Sequence, residues 1–205
     1  MFRVVAVAEN TLCVGFEGDR RIAGQRARQV ARSLIDHLEA HSVVSGTRTV
    51  LLSSQSLTAE DLEPIISEAL SNQIASEAGV EHTLEVTYDG PDLEAIAESL
   101  VVSVDEVIEL HSRPIYEVAF IGFQPGFAYL EGLDRRLTTI KRLPNPRVSI
   151  PAGSVAIAGG WAGVYPLEGP GGWQVVGTTD ATIWDPNRER PTLWVPGDRV
   201  RFKRS

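Results

Sequence analysis

The sequence predicts an α+β chain in two parts. A small unit with helices on one face of a mainly antiparallel sheet comes first, and a β-rich closed barrel or sandwich follows. Three observations predict this. Up to about residue 90, segments with a hydrophobic period of two alternate with segments of period 3.6. After Pro114 the pattern is short strand-like runs with no long helical stripe. Twelve of the 18 glycines and all four tryptophans also lie beyond Pro114. The expected boundaries are 1–90 for the α+β (ββαβαβ) domain, 91–114 for a helical linker and 115–205 for the barrel domain.

Taken in order, Phe2–Ala8 and Thr11–Phe16 form a hairpin around Glu9-Asn10, where Asn tolerates a left-handed turn. Ala27, Val30, Ala31, Leu34, Ile35 and Leu38 recur at helical spacing. Thr47–Leu52 reads as a strand. A second helical stripe joins Leu62, Ile65, Ile66, Ala69, Leu70 and Ile74, with Pro64 expected near its first turn, because an interior proline costs about 3 kcal/mol. Leu84, Val86 and Tyr88 alternate as a half-buried strand. In the linker, Asp92–Leu100 is a short helix, and Ser103-Val104-Asp105-Glu106 fits a capping box before a second one. Its inner face carries Val104, Val107, Ile108 and His111. A lone histidine there reads as a satisfied, half-buried residue ahead of a catalyst. Beyond Pro114 the strands are Tyr116–Ile121, Ser154–Ala158, Trp173–Val176, Thr192–Val195 and Arg199–Lys203.

The bulk numbers exclude several classes. With 43% hydrophobic and 22% charged residues, the 205-residue chain has an ordinary globular balance. A net charge of −8 fits a solvated acidic surface and offers no basic face for nucleic acid. Arg135-Arg136 and Lys141-Arg142 are too short to alter that; they fit contacts with a small anion or a partner chain. The single Cys13 leaves no internal disulfide and reads as a buried strand residue. No signal-peptide core opens the chain and no run reaches about 18 apolar residues, so a cytoplasmic protein without a membrane span is expected. There is no G-x-x-x-x-G-K-[ST] phosphate loop and no G-x-S-x-G elbow, and Gly159–Gly163 does not match the dinucleotide fingerprint. His37 and His41 have i,i+4 spacing but no H-E-x-x-H context, so no metal site is expected.

Three glycine-proline-aromatic clusters remain. They are Gly122-Phe123-Gln124-Pro125-Gly126-Phe127-Ala128-Tyr129-Leu130, Ile150-Pro151-Ala152-Gly153-Ser154-Val155, and the run from Gly163-Val164-Tyr165-Pro166 to Gly171-Gly172-Trp173-Gln174. Glycine permits positive φ and proline fixes φ, so alternating them makes rigid loops of defined shape. Aromatics beside such loops serve equally as a binding wall or as a structural plug.

These motifs resemble the KipI/PxpB family, also called allophanate hydrolase subunit 1. The family pattern GF-x-PGF-x-YL-x-GL corresponds to Gly122–Leu133, PR-x-x-VPAGSV-x-I to Pro146–Ile157, G-x-YP…PGGW-x-x-GRT to Gly163–Thr179, and PGD-x-V-x-F to Pro196–Phe202. The chain departs from the pattern at Ile140–Arg147, one residue longer than usual, and at Thr178, where the family carries Arg or His. The resemblance implies a small ferredoxin-like domain followed by a cyclophilin-like β-barrel. It implies a non-autonomous subunit of an ATP-dependent amidohydrolase complex, a 5-oxoprolinase, inactive alone and acting with a KipA/PxpC-type partner and a LamB/YcsF-type protein. ATP is then needed at the level of the complex, and this chain carries no Walker-type phosphate loop. The alternatives are a carboxyltransferase subunit of the allophanate or urea carboxylase type, or a regulator that inhibits a sensor histidine kinase.

All these readings share recognition of an amide- or urea-like group. Tyr88, His111, Gln124, Ser154, Tyr165 and Gln174 offer donors and acceptors for it, and Arg147 could hold a carboxylate bidentately, with a surface salt bridge as its plainer role. The framework residues are Phe123, Pro125, Gly126, Phe127, Pro151, Gly153, Pro166, Gly171, Gly172 and Trp173.

Overall fold

The structure is a computed structural model and describes residues 1–38, 42–54, 56–71 and 79–205. The chain divides into two compact units, Met1–Glu77 and Ala78–Ser205.

The first unit runs β1 (Phe2–Ala8), β2 (Thr11–Phe16), α1 (Arg20–His37), β3 (Ser42–Ser45), β4 (Thr49–Ser53) and α2 (Ala59–Ser71). Its antiparallel sheet has the order β1-β2-β4-β3. Strand alternation sends Val14, Phe16, Val50 and Leu52 into one core with Ala27, Val30 and Leu34 of α1 and Leu62 and Ile66 of α2. Asp19 starts α1 by accepting from the Arg21 and Ile22 amides. Thr58 and Asp61 form the capping box of α2: the Thr58 amide donates to the Asp61 carboxylate at 2.8 Å, and the Asp61 amide to Thr58 Oγ1 at 3.4 Å.

Several expectations change here. The strand expected to end this unit (Leu84–Tyr88) lies in the second one, and β3 supplies the fourth strand instead. At four residues, β3 is too short for its alternation to stand out. The order ββαββα is the β-α-β-β-α-β set with its last strand moved to the front, so the ferredoxin-like chain order is not reproduced. Pro64 lies inside α2 and past its first turn, at an exposed position where it removes only the bond the Glu60 carbonyl would accept. Cys13 is half-buried, because alternation along β2 gives the core to Val14 and Phe16. Ile35 is 60% exposed, off the buried stripe of α1. Ile74 and His41 lie outside the described residues.

The second unit runs β5 (Glu81–Val86), α3 (Leu93–Leu100), α4 (Val104–Ser112), β6 (Ile115–Ile121), β7 (Ala128–Glu131), β8 (Arg147–Ile150), β9 (Ser154–Ala158), β10 (Trp161–Val164), β11 (Gly169–Gly171), β12 (Gln174–Thr178) and β13 (Arg199–Arg204). Seven strands form one sheet in the order β12-β9-β10-β7-β6-β13-β5. Just past β5, Thr87 exchanges two backbone hydrogen bonds with Thr178 at the end of β12, at 2.9 and 2.8 Å. The two edge strands therefore meet, and the sheet is nearly closed into a barrel. Val86, Tyr116, Leu130, Val155, Val176 and Phe202 fill its interior with Ile96 and Val107 from the helices. The helices expected as a linker thus belong to the barrel core. On the sheet's other face a second, aromatic core joins Phe127, Ile150, Tyr165 and Trp173. The β8–β11 ribbon is a separate two-stranded sheet.

Asp198 of the Pro196-Gly197-Asp198 turn is 3% exposed and staples the end of the sheet. Its carboxylate accepts from the Val80 amide at 3.0 Å and the Val195 amide at 2.9 Å, and lies 3.0 Å from His82 Nε2. Thr192–Val195 is not a strand; only Thr192 bridges, to Trp184. At α4 the Ser103 hydroxyl accepts from the Glu106 amide at 3.1 Å, but the Glu106 carboxylate turns to Arg136, leaving the expected capping box half formed.

Candidate functional site

The β6–β7 connection follows from its residues. Pro125 and Gly126 occupy the central positions of a turn closed by the Phe127 amide on the Gln124 carbonyl at 3.0 Å, with Gly126 at φ +78°. That is the type II pattern, which needs glycine at its third position. One residue earlier, the Gln124 amide donates to the Gly122 carbonyl at 3.0 Å across Phe123, whose φ is +73°. A γ-turn of this hand is rare and strained for a residue with a side chain. Yet the Phe123 ring is 60% exposed. It meets Phe127 and Tyr165 edge-on, with centroids at 5.4 and 6.3 Å.

The third cluster packs against the first. A Cβ at Gly171 would sit 2.2 Å from the Tyr165 hydroxyl, so only glycine lets the ribbon approach that ring. Tyr165 is 1% exposed. Burial raises its pKa, while a hydrogen bond from the Trp173 backbone and the nearby Arg142 charge oppose the shift. The atypical loop 140–147 is tied down on the same side. The Leu143 amide donates to the Gly172 carbonyl at 2.7 Å, and Gln174 Nε2 donates to the Lys141 carbonyl at 2.9 Å.

Arg147 uses its fork within the protein. Its two terminal nitrogens donate to the two oxygens of Asp92 at 2.9 and 2.8 Å, and the carboxylate holds the guanidinium pKa up. Asp92 is 6% exposed and also accepts from the Val175 amide at 2.6 Å. Sequence reading did not single out Asp92, which it took as the first residue of the short helix Asp92–Leu100. A carboxylate at a helix start can serve far beyond its own helix, and that was the available signal.

The structure therefore brings Phe123, Gln124, Arg147, Tyr165, Gly171, Gly172, Trp173 and Gln174 to one loop cluster. Pro151 and Gly153 turn the chain into β9, where the Gly153 amide donates to the Tyr165 carbonyl and the Tyr165 amide to the Ser154 carbonyl. Pro166 is buried beside Tyr165. Tyr88 and His111 pair elsewhere, the Tyr88 hydroxyl lying 2.8 Å from His111 Nδ1. His111 is fully buried, stacks on Phe202 at 4.7 Å, and its pKa is held down to about 3 by burial. It is a neutral member of the barrel core rather than a half-buried one. Thr178 Oγ1 donates to Asp89 at 3.1 Å, beside the barrel closure. Among the described residues, no group of three or more His, Cys, Asp or Glu side chains could hold a metal ion, and no helix is long and apolar enough to cross a membrane. An open groove of about 740 Å³ lined by Glu94, Glu98, Val101 and Glu106 shares no residue with the loop cluster.

Comparison with known proteins gives a consistent picture. The family model described as "Carboxyltransferase domain, subdomain C and D" matches residues 2–194. A protein of Escherichia coli O157:H7 named as a 5-oxoprolinase subunit is 36% identical over 207 residues, covering 98% of this chain and 94% of that one. The crystal structure of a protein named TTHA0988 superposes with a TM-score of 0.84 at 32% identity, over 96% of this chain but only 40% of that longer polypeptide. The urea carboxylase of Kluyveromyces lactis shares the fold, with a TM-score of 0.76 at 19% identity over all of this chain and 22% of that one.

Proposed function

The chain belongs to the carboxyltransferase-domain family, subdomains C and D, and from that premise we propose that it is a subunit of an ATP-dependent 5-oxoprolinase. The observation that carries this reading is the 36% identity that runs through 98% of the chain to a protein named as a 5-oxoprolinase subunit. The finer reading is a KipA/PxpC-type partner with a LamB/YcsF-type third protein, in the cytoplasm, with this chain inactive alone.

The chemistry explains the need for ATP. The lactam of 5-oxoproline is an unactivated amide. Transfer of the γ-phosphoryl group to its carbonyl oxygen, with release of ADP, converts that oxygen into a leaving group. Water then adds at the same carbon, the ring C–N bond breaks as the nitrogen takes up a proton to give an acyl phosphate, and a second water hydrolyses that acyl phosphate to glutamate and inorganic phosphate. In this reading the chain contributes recognition through the loop cluster. Gln124 and Tyr165 form its wall, the Arg142 charge lies close to Tyr165, and Gln174 fixes the 140–147 loop.

Reconstitution tests it. The chain, its KipA-type partner and the LamB-type protein are mixed, and 5-oxoproline-dependent ATP hydrolysis is followed. Activity is expected only when this chain is present; full activity of the other two proteins without it sinks the subunit role.

A further inference from the structure

We propose that the side-chain carbonyl of Gln124 is the acceptor for a substrate N–H, so that this loop selects amides or ureas carrying a free N–H. This rests on the amidohydrolase reading and deepens it. Among the described residues, two buried side-chain polar atoms have no hydrogen-bond partner: Oε1 of Gln124 and Nε2 of His111. A buried acceptor left empty is costly, and structures keep such a group where something else supplies the donor. The His111 ring is packed among Tyr88, Tyr116 and Phe202 inside the barrel. Gln124 instead lies in the loop cluster, beside the exposed Phe123.

Several other polar groups of that cluster are committed. The terminal nitrogens of Arg147 are on Asp92, the amide nitrogen of Gln174 is on the Lys141 carbonyl, and the Tyr165 hydroxyl meets the Trp173 backbone. Among the described residues of the cluster, the Gln124 side-chain oxygen is the buried acceptor without a partner. Its position is fixed from both ends. The backbone is held between the γ-turn at Phe123 and the turn through Pro125 and Gly126. The Nε2 end lies against Gly169, where a Cβ would be only 2.5 Å away. Phe123, the residue before Gln124, combines a positive φ with an exposed ring, and a strained backbone of this kind clusters at functional sites.

The test compares wild-type and Gln124→Met complexes, reconstituted as above, using 5-oxoproline and N-methyl-5-oxoproline as competing ligands. Methylation removes the one donor in question. In the wild type the methylated lactam should bind about 10- to 100-fold more weakly, the range for leaving one buried acceptor unpaired. In Gln124→Met the two should bind within about threefold of each other, with KM for 5-oxoproline raised by the lost factor and kcat little changed. Thermal unfolding of the variant chain should be no lower than wild type, because an unsatisfied polar atom has been replaced by an apolar side chain of similar volume. Undiminished discrimination in Gln124→Met overturns the proposal. If the wild-type complex does not turn over 5-oxoproline, the oxoprolinase reading fails by itself. Calorimetry of the same two complexes with urea and N,N,N′,N′-tetramethylurea then decides the inference. Selectivity for urea that vanishes in the variant supports it, and absent binding or persistent selectivity overturns it.

Discussion

His111 shows how much a single side chain can differ from its appearance in the sequence. Spacing along α4 places it on the inner face, and that was legible. Its neighbours were not, because Tyr88, Tyr116 and Phe202 arrive from separate segments of the barrel. The neutral imidazole is fully buried, with a pKa near 3 against an ordinary value of 6.5. A folded pKa below the unfolded one makes stability complete above about pH 6.5 and lost progressively as the pH falls toward 3. The expected slope from this group is at most about 1.4 kcal/mol per pH unit. Chemical denaturation between pH 7 and pH 4 should show it, and His111→Phe should flatten it. Gln124 was legible as a candidate by residue type alone. That its carbonyl is buried without a partner while its amide end lies against Gly169 is a matter of tertiary packing that no local pattern shows.

Between elements, Asp92 joins three pieces of structure at one carboxylate: the start of α3, β8 through Arg147, and β12 through the Val175 amide. Its partner Arg147 is 55 positions away, so the local pattern at the start of this helix gave no hint of the pairing. Removing Asp92 leaves a guanidinium and a backbone N–H without partners. Asp92→Ala should therefore cost about 3 kcal/mol, while Arg147→Ala, whose side chain is partly solvated, should cost about 1–2 kcal/mol. Paired urea denaturation curves check the order; equal costs would mean that the amide bond to Val175 contributes little. The strands with strong alternation or a clear turn were readable: β1, β2, β6, β9 and β13 lie close to their expected places. Thr192–Val195 was misread because its apolar residues serve packing and a tryptophan hydrogen bond, with Trp194 Nε1 donating to the Gly126 carbonyl at 3.1 Å.

At the scale of the whole chain, the change of composition lies beyond Pro114, whereas the two compact units divide after Glu77. The strand β5 left the first unit because its partner β13 lies at the far end of the second, in parallel register from Glu81–Arg199 to Val86–Arg204. Parallel pairing leaves no hairpin signature in sequence. Since all barrel strands and both of their covering helices fall within Ala78–Ser205, that segment expressed alone should unfold cooperatively. Near-UV circular dichroism and a single sharp denaturation transition would show this; a broad transition without tertiary signal would refute it.

The insertion of β13 between β5 and β6 also sets a timetable. Lys203 and its β5 partner Glu85 are 118 residues apart, so the barrel cannot close until everything between them has left the ribosome. Until then β5 has an unpaired edge and an apolar face carrying Leu84 and Val86. Contacts of such separation slow folding and lengthen the exposure of sticky intermediates. Synthesis of this protein should therefore depend on chaperones holding a nearly finished barrel open for its last strand, while the first unit, built from neighbouring segments, is already folded.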